Sequence, residues 1–179
     1  AFEAHNPATR DEAFKLLQTI FGELKRKGER ALVGFDFNFG FNFYGQLKNT
    51  INNGASVQLL TAMNSSEFIS ATNGQQVVRY LTNHDVNGSD DTPQQLFGGQ
   101  NGSMASFVVA AFMKGIPMIY NGQEVATSFQ IPFPFTSVDI NWNVNAAVKA
   151  QYKKLISIRN NSVAIRRGTP TSYSTADLC

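Results

Sequence analysis

A chain of 179 residues that is 42% hydrophobic and 16% charged suits one domain with a sizeable core, an ordinary globular composition. Its net charge of +2 and the single short basic run Lys25-Arg26-Lys27 argue against nucleic acid or an acidic membrane as a partner, and no stretch approaches the ~20 apolar residues of a membrane span. One cysteine, Cys179, excludes an intrachain disulfide and leaves the redox compartment undecided.

The chain opens on A-F-E-A-H-N-P, which lacks the charged and apolar regions of a signal peptide. So abrupt a start is expected of an internal fragment or a processed form, and the end is equally abrupt. Thr9 or Asn6 can cap a helix over Arg10 to Lys27, where Ala13, Phe14, Leu17, Ile20, Phe21 and Leu24 recur at helical spacing. Asp11 and Glu12 in its first turn and Lys25 to Lys27 in its last favour the helix dipole, and Gly28 stops it. From Phe35 to Phe43 every second residue is phenylalanine, with Asp36, Asn38 and Asn42 on the other parity, the mark of a strand with one apolar and one polar face. A helix is expected from Asn42 or Phe43 to Asn52, ended by Gly54, with Val57 to Met63 helical beyond it.

Val77 to Leu81 is β-branched and aromatic with no glycine or proline, so it reads as a buried strand. Thr82, Asn83, His84 and Asp85 then crowd four polar groups at its C-terminal end. A parallel strand ending in an imidazole and a carboxylate is how α/β barrels present chemistry, because strand ends are rigid and open onto one face. The same residues also fit a polar loop capped by its aspartate. Asp85 to Gly102 is the longest loop signal. Asp85, Asn87 and Ser89 have the odd-position oxygens of a calcium loop, but Asp90 stands where its glycine should be and Leu96 where its glutamate should be. An apolar helix from Met104 to Lys114, capped by Ser103, leads through Gly115 into a strand over Ile116 to Tyr120. Asn121, Gly122, Gln123 and Glu124 again gather polar groups at a strand's end. Phe129 to Trp142 mixes aromatics and prolines. Phe133, Phe135 or Trp142 there can stack on the apolar face of a sugar, or can pack beneath a loop. Asn145 to Asn160 is an amphipathic helix, and Gly168 to Cys179 begins a β-rich segment.

Three of these stretches, in this order and at this spacing, resemble one family. Asn83-His84-Asp85 after an apolar strand, G-I-P-M-I-Y-N-G-Q-E from Gly115 to Glu124, and Asn141-Trp142 with Y-K-K-L-I-S-I-R-N from Tyr152 to Asn160 are similar to the seventh strand, eighth strand and closing helix of the α-amylase family of glycoside hydrolases. The match covers roughly Phe35 to the C-terminus and is closest to bacterial α-amylases.

The resemblance implies a partial (β/α)8 TIM barrel, about strands five to eight, over residues 1–167, and the start of a truncated β-sandwich domain over residues 168–179. A complete barrel takes about 250 residues, so the other half would be a missing N-terminal partner. By resemblance Asp85 stabilises the cationic transition state and His84 hydrogen-bonds the sugar hydroxyls. Asn83, Gln123, Glu124 and Trp142 are candidate substrate contacts, with Glu124 alternatively bracing the loops around it. Glu3 in E-x-x-x-P is similar to the family's acid/base at the end of the fifth strand, although a competing register makes Ala31 to Gly34 that strand and leaves no such glutamate. The family's nucleophile motif, G-x-R-x-D, is missing: after Gly28-Glu29-Arg30, Leu32 stands in place of the aspartate. The substrate implied is an α-1,4-glucan, hydrolysed only with the missing half in place. No cofactor is expected in this stretch, Ca2+ is an implication for the parent enzyme, and the family places such enzymes outside the bacterial cell or at its surface. A catalytically inactive relative that binds glucan or a partner protein is the competing reading.

Overall fold

The computed structural model describes residues 15, 19, 26, 38–69, 71, 75–132, 138–171 and 173. The chain divides into two compact units, Ala1–Asp36 and Phe37–Cys179. In the first, Lys15, Thr19 and Arg26 are helical and exposed, and Thr19 Oγ1 donates to the Lys15 carbonyl at 3.0 Å. Glu3, the remainder of the helix expected over Arg10 to Lys27, the Ala31 to Phe37 stretch, Phe133 and Phe135, and the last residues to Cys179 lie outside the described residues.

The second unit is built on a three-stranded sheet, β1 (Asn38–Phe39), β2 (Val77–Arg79) and β3 (Ile116–Pro117), in the order β1-β2-β3. Both pairings are parallel, with Asn38 opposite Val77, Phe39 opposite Val78, Val78 opposite Ile116 and Arg79 opposite Pro117. Parallel neighbours require crossovers, and helices supply them. Helices α1 (Phe41–Asn53) and α2 (Gln58–Ile69) link β1 to β2; α3 (Val86–Ser89), α4 (Pro93–Leu96) and α5 (Gly99–Phe112) link β2 to β3. All three residues of β2 are buried, as its unbroken run of strand-forming residues requires of a strand covered on both faces.

The phenylalanine alternation is cut short. Strand β1 ends at Phe39, and α1 takes over at Phe41, so Phe43 turns into the core while Phe41 is 47% exposed. The hinge is Gly40, where a Cβ would lie 2.5 Å from Arg79 Nη1 and 3.0 Å from the Val78 carbonyl. A side chain there would have to displace the buried Arg79 guanidinium. Gly54 closes α1 in the left-handed conformation at φ 66°, as expected. Helix α2 runs to Ile69, beyond the expected end at Met63.

The expected loop from Asp85 to Gly102 folds instead into α3, α4 and the first turn of α5. Ser103 therefore sits inside α5 rather than at its cap, fully buried. The early start is allowed by Gly102, where a Cβ would fall 1.7 Å from the Phe97 carbonyl oxygen. Strand β3 pairs over two residues only, although the Met118 N–H still donates to the Arg79 carbonyl at 2.8 Å.

Past the sheet come a 3-10 turn (Gln123–Val125), α6 (Ala146–Asn161) and α7 (Val163–Arg167). Tyr152 of α6 packs edge-on against Phe107 of α5 at 4.7 Å. Arg159, also buried, donates to the carbonyls of Ala111 at 2.5 Å and of Gly115, so a cation closes the C-terminal end of α5. Phe43, Leu47, Tyr80, Leu81, Phe97 and Phe107 form the centre of the core, each at 1% exposure or less. Full burial of such a side chain is worth about 1.5–3 kcal/mol. Residues 168–171 and 173 lie in neither helix nor strand.

Candidate active site

Beyond Arg79 the backbone of β2 continues inward through Tyr80, Leu81, Thr82 and Asn83, all buried, and then surfaces. What turns it outward is Asn83. Its Oδ1 accepts the backbone N–H groups of Asp85 and Val86, both at 2.9 Å, satisfying donors at the start of α3. With the asparagine held below, His84 and Asp85 project above it, their side chains 46% and 59% exposed and their Nε2 and Oδ1 atoms 3.3 Å apart. The His84 ring meets Phe39 edge-on at 6.0 Å, so the neighbouring strand end supports one side of the pair.

A cleft of about 560 Å³ opens beside the pair, lined by His84, Asp85, Gly88, Ser89, Gln130, Ile131 and Pro132. That volume lies within the range of small-ligand sites. One wall is polar and carries the only carboxylate among the lining residues; the other offers the apolar surfaces of Ile131 and Pro132. A ligand with a hydroxylated edge and an apolar face matches both walls.

Hydrogen bonds join the walls. Asn87 Oδ1 accepts the Ile131 N–H at 2.6 Å, and Gln130 Nε2 donates to the Asp90 carbonyl. The Asp90 carboxylate accepts from Tyr44 Oη and Lys48 Nζ, both at 2.5 Å, fixing the end of α3 to α1. Burial alone would push the Asp90 carboxyl up, but the hydrogen bonds from Lys48 and Tyr44 and the Lys48 charge outweigh it and hold the group below the usual carboxylate range. Burial and the bond to Asp90 push the Tyr44 hydroxyl up in turn.

The remaining candidates lie elsewhere. Gln123 is buried, its Nε2 donating to Tyr152 Oη at 3.1 Å and its Oε1 accepting the Tyr120 N–H at 3.4 Å, so it braces the 3-10 turn against α6. Glu124 borders a separate recess formed with Ile119, Lys149, Tyr152, Lys153 and Ile156. Trp142 is 44% exposed and lines neither space. Gln130 escaped the sequence reading, and Asn87 and Asp90 entered it only as positions of a rejected calcium loop. The partners that tie them across the cleft and to α1 stand 40 or more residues away, beyond any local pattern.

No protein-family model matches the chain, and no curated protein sequence matches it. Solved structures do. The chain aligns over 84% of its length with an α-amylase from Lactobacillus plantarum, at TM-score 0.57 and 19% identity, covering 36% of that chain. The likeness is to part of that enzyme's fold. It also aligns over 73% of its length with a cyclic α-maltosyl-(1→6)-maltose hydrolase from Arthrobacter globiformis in complex with maltose, at TM-score 0.59 and 19% identity, covering 30% of that chain. The ligand-free form of the same hydrolase gives 75%, 31%, 0.59 and 19% in the same order. These neighbours are α-amylase family members, and the present chain spans about a third of the length of each. The likeness is one of fold, and it fits a helix-rich unit around a small parallel sheet.

Proposed function

We propose that this chain is part of a retaining glycoside hydrolase of the α-amylase type, acting on α-1,4-glucosidic bonds of starch, glycogen or maltooligosaccharides. The observation that carries the reading is the exposed His84–Asp85 pair at the C-terminal end of the central parallel strand, set on a cleft with one polar and one apolar wall. In this reading β1, β2 and β3 are the sixth, seventh and eighth strands of a (β/α)8 barrel, and residues 168–179 begin a C-terminal β-rich domain. Hydrolysis builds positive charge on the sugar ring, and a carboxylate fixed beside that ring stabilises it without reorganising. Asp85 has that role, and His84 Nε2 or Nδ1 binds the ring hydroxyls.

Retention needs two further carboxyl groups about 5–5.5 Å apart, a nucleophile and an acid/base. Among the described residues that line the cleft, Asp85 is the one carboxylate. The acid/base is assigned to Glu3 and the nucleophile to the missing N-terminal barrel half, so the isolated chain is inactive. Calcium, where the enzyme uses it, belongs to that other half, and secretion or display at the bacterial surface suits a polymeric substrate. The lone carboxylate also favours a second reading, an inactive amylase-like protein that binds glucan or a protein partner.

The test compares the chain alone with the longest product of its gene, each titrated with maltoheptaose and assayed for reducing-end release. Binding by both with turnover only by the longer product is expected. Binding without turnover in either would leave the glucan-binding form of the second reading, and no binding in either would overturn the first reading and that form, leaving only a protein partner.

A further inference from the structure

We propose that Asn87 is a positioning residue that sets the width of the His84–Asp85 cleft, clamping its apolar wall to the short helix that begins at Asp85; the inference rests on the glucan reading of that cleft. Asn87 is 4% exposed and uses both ends of its amide. Its Nδ2 donates to Thr82 Oγ1 at 3.3 Å, on the backbone that continues β2, while its Oδ1 accepts the Ile131 N–H at 2.6 Å. Its own N–H donates to the Asn83 carbonyl at 2.9 Å. The amide therefore bridges the rigid strand end and the opposite wall. No strand pairing joins residues 129–132 to α3, so side chains alone set their separation. One further tie, from Gln130 to the Asp90 carbonyl, lies at the far end of the same helix.

Gly88 and Ser89 lie between the two ties in sequence and line the cleft. A pyranose ring has fixed thickness, with hydroxyls at its rim and C–H groups on its face. A cleft held at constant width admits that ring with its hydroxyls toward His84 and Asp85 and its face toward Ile131 and Pro132. Loosening the clamp lets the apolar wall move away. Ring binding then weakens while the carboxylate stays where it is.

Two variants separate this from a simple loss of folding, measured in the longest gene product. Asn87→Leu removes the acceptor for the Ile131 N–H at similar volume; Asn87→Asp keeps an oxygen there. Asn87→Leu is expected to speed amide hydrogen exchange at Ile131 about tenfold, leave exchange at Val86 unchanged, and raise KM for maltoheptaose about tenfold with kcat nearly constant. Asn87→Asp keeps an acceptor for the Ile131 N–H but gives up the donor to Thr82 and buries a carboxylate, so it should shift Ile131 exchange less than Asn87→Leu does without restoring wild type. If Asn87→Leu does not fold, Gln130→Ala, at an exposed residue, should move Ile131 exchange and KM in the same direction by a smaller factor. Unchanged exchange at Ile131 in both Asn87→Leu and Gln130→Ala would overturn the clamp, as would faster exchange with unchanged KM. A wild-type product that neither binds nor cleaves maltoheptaose sinks the glucan reading while the exchange data still decide whether the clamp exists.

Discussion

Two side-chain pairs flank the end of β2, and they are built on opposite plans. Arg79 is 0% exposed, and each of its three guanidinium nitrogens faces an acceptor: Nη1 meets Glu67, Nη2 meets Asn64 Oδ1 at 2.8 Å, and Nε meets the Lys114 carbonyl at 3.1 Å. Its guanidinium lies over the Phe43 ring at 4.4 Å. The second oxygen of Glu67 accepts the Phe43 N–H at 3.0 Å, at the start of α1, where a negative charge also suits the helix dipole. Burial pulls the Arg79 guanidinium down from its ordinary range, and Glu67 opposes that pull. His84 and Asp85, by contrast, stand about half in solvent with one long contact between them. A buried ion must have every hydrogen bond met, which leaves nothing for a ligand. An exposed pair on a rigid base keeps its bonding capacity free. Charge buried in this strand holds β2 to α1 and α2, and charge left open at its end is available for chemistry.

The largest effect should come from breaking the buried pair. Arg79→Ala leaves the largely buried Glu67 carboxylate without its cationic partner and should cost about 3–5 kcal/mol in urea unfolding. The double variant Arg79→Met with Glu67→Met should cost much less, since neither charge is then stranded. Equal losses in single and double variants would show that the pair acts by packing alone.

Asp85→Asn should do the reverse. In the longest gene product it should lower kcat about a hundredfold or more, the equivalent of roughly 3 kcal/mol of transition-state stabilisation, with a melting temperature near wild type. Full turnover in this variant would remove Asp85 from the mechanism. A large loss of stability would erase the contrast between the two pairs.

Gly88→Leu tests the open site by filling it. Gly88 lines the cleft, and a Cβ added there meets nothing within 4 Å. The side chain should raise KM for maltooligosaccharides about tenfold, near 1.4 kcal/mol, without lowering stability. An unchanged KM would mean that the ligand lies elsewhere.

The smallest effect is expected at Asp90, which is bonded like the buried pair but partly open, its side chain 27% exposed. Because its carboxyl is held below the ordinary range, its contribution to stability is present above the usual carboxylate pKa of about 3.9 and is lost as pH falls through its lower folded value. Asp90→Asn should therefore cost no more than about 1 kcal/mol after solvent screening, at pH 5 to 8 alike. Melting curves of wild type and variant should converge as the pH is lowered below the usual carboxylate range. A gap that widens in acid would contradict the sign.

Much of the scaffold was legible in the sequence because it depends on local rules. The β-branched run of Val77 to Leu81 marks the central strand, Gly54 stops α1, and the apolar stripe around Tyr152 marks α6, each through the periodicity or backbone freedom of the residues concerned. So too the polar cluster at the strand's end: a strand that must be buried cannot hide His84 and Asp85 in its ladder, so they stand at its mouth.

Tertiary structure decided what local patterns leave open. Five phenylalanines at period two are compatible with a longer strand, and the break into α1 falls at Gly40, where the backbone runs close to the buried Arg79. The polar run after Asp85 reads as a loop because its stabilising partners, Lys48, Tyr44 and Ile131, lie far along the chain. Arg79 lies inside a run read as a buried strand and Arg159 in an amphipathic helix, and no linear pattern names their partners; both are buried because carbonyls and a carboxylate from other elements converge on them. Gln123 and Glu124 follow β3 as His84 and Asp85 follow β2, and the sequence treats the two clusters alike. Packing against α6 buries Gln123 and turns Glu124 into a different recess, while nothing among the described residues covers Asp85. Composition and period determine which segments must be inside; which charged groups remain outside is set by what the folded chain brings against them.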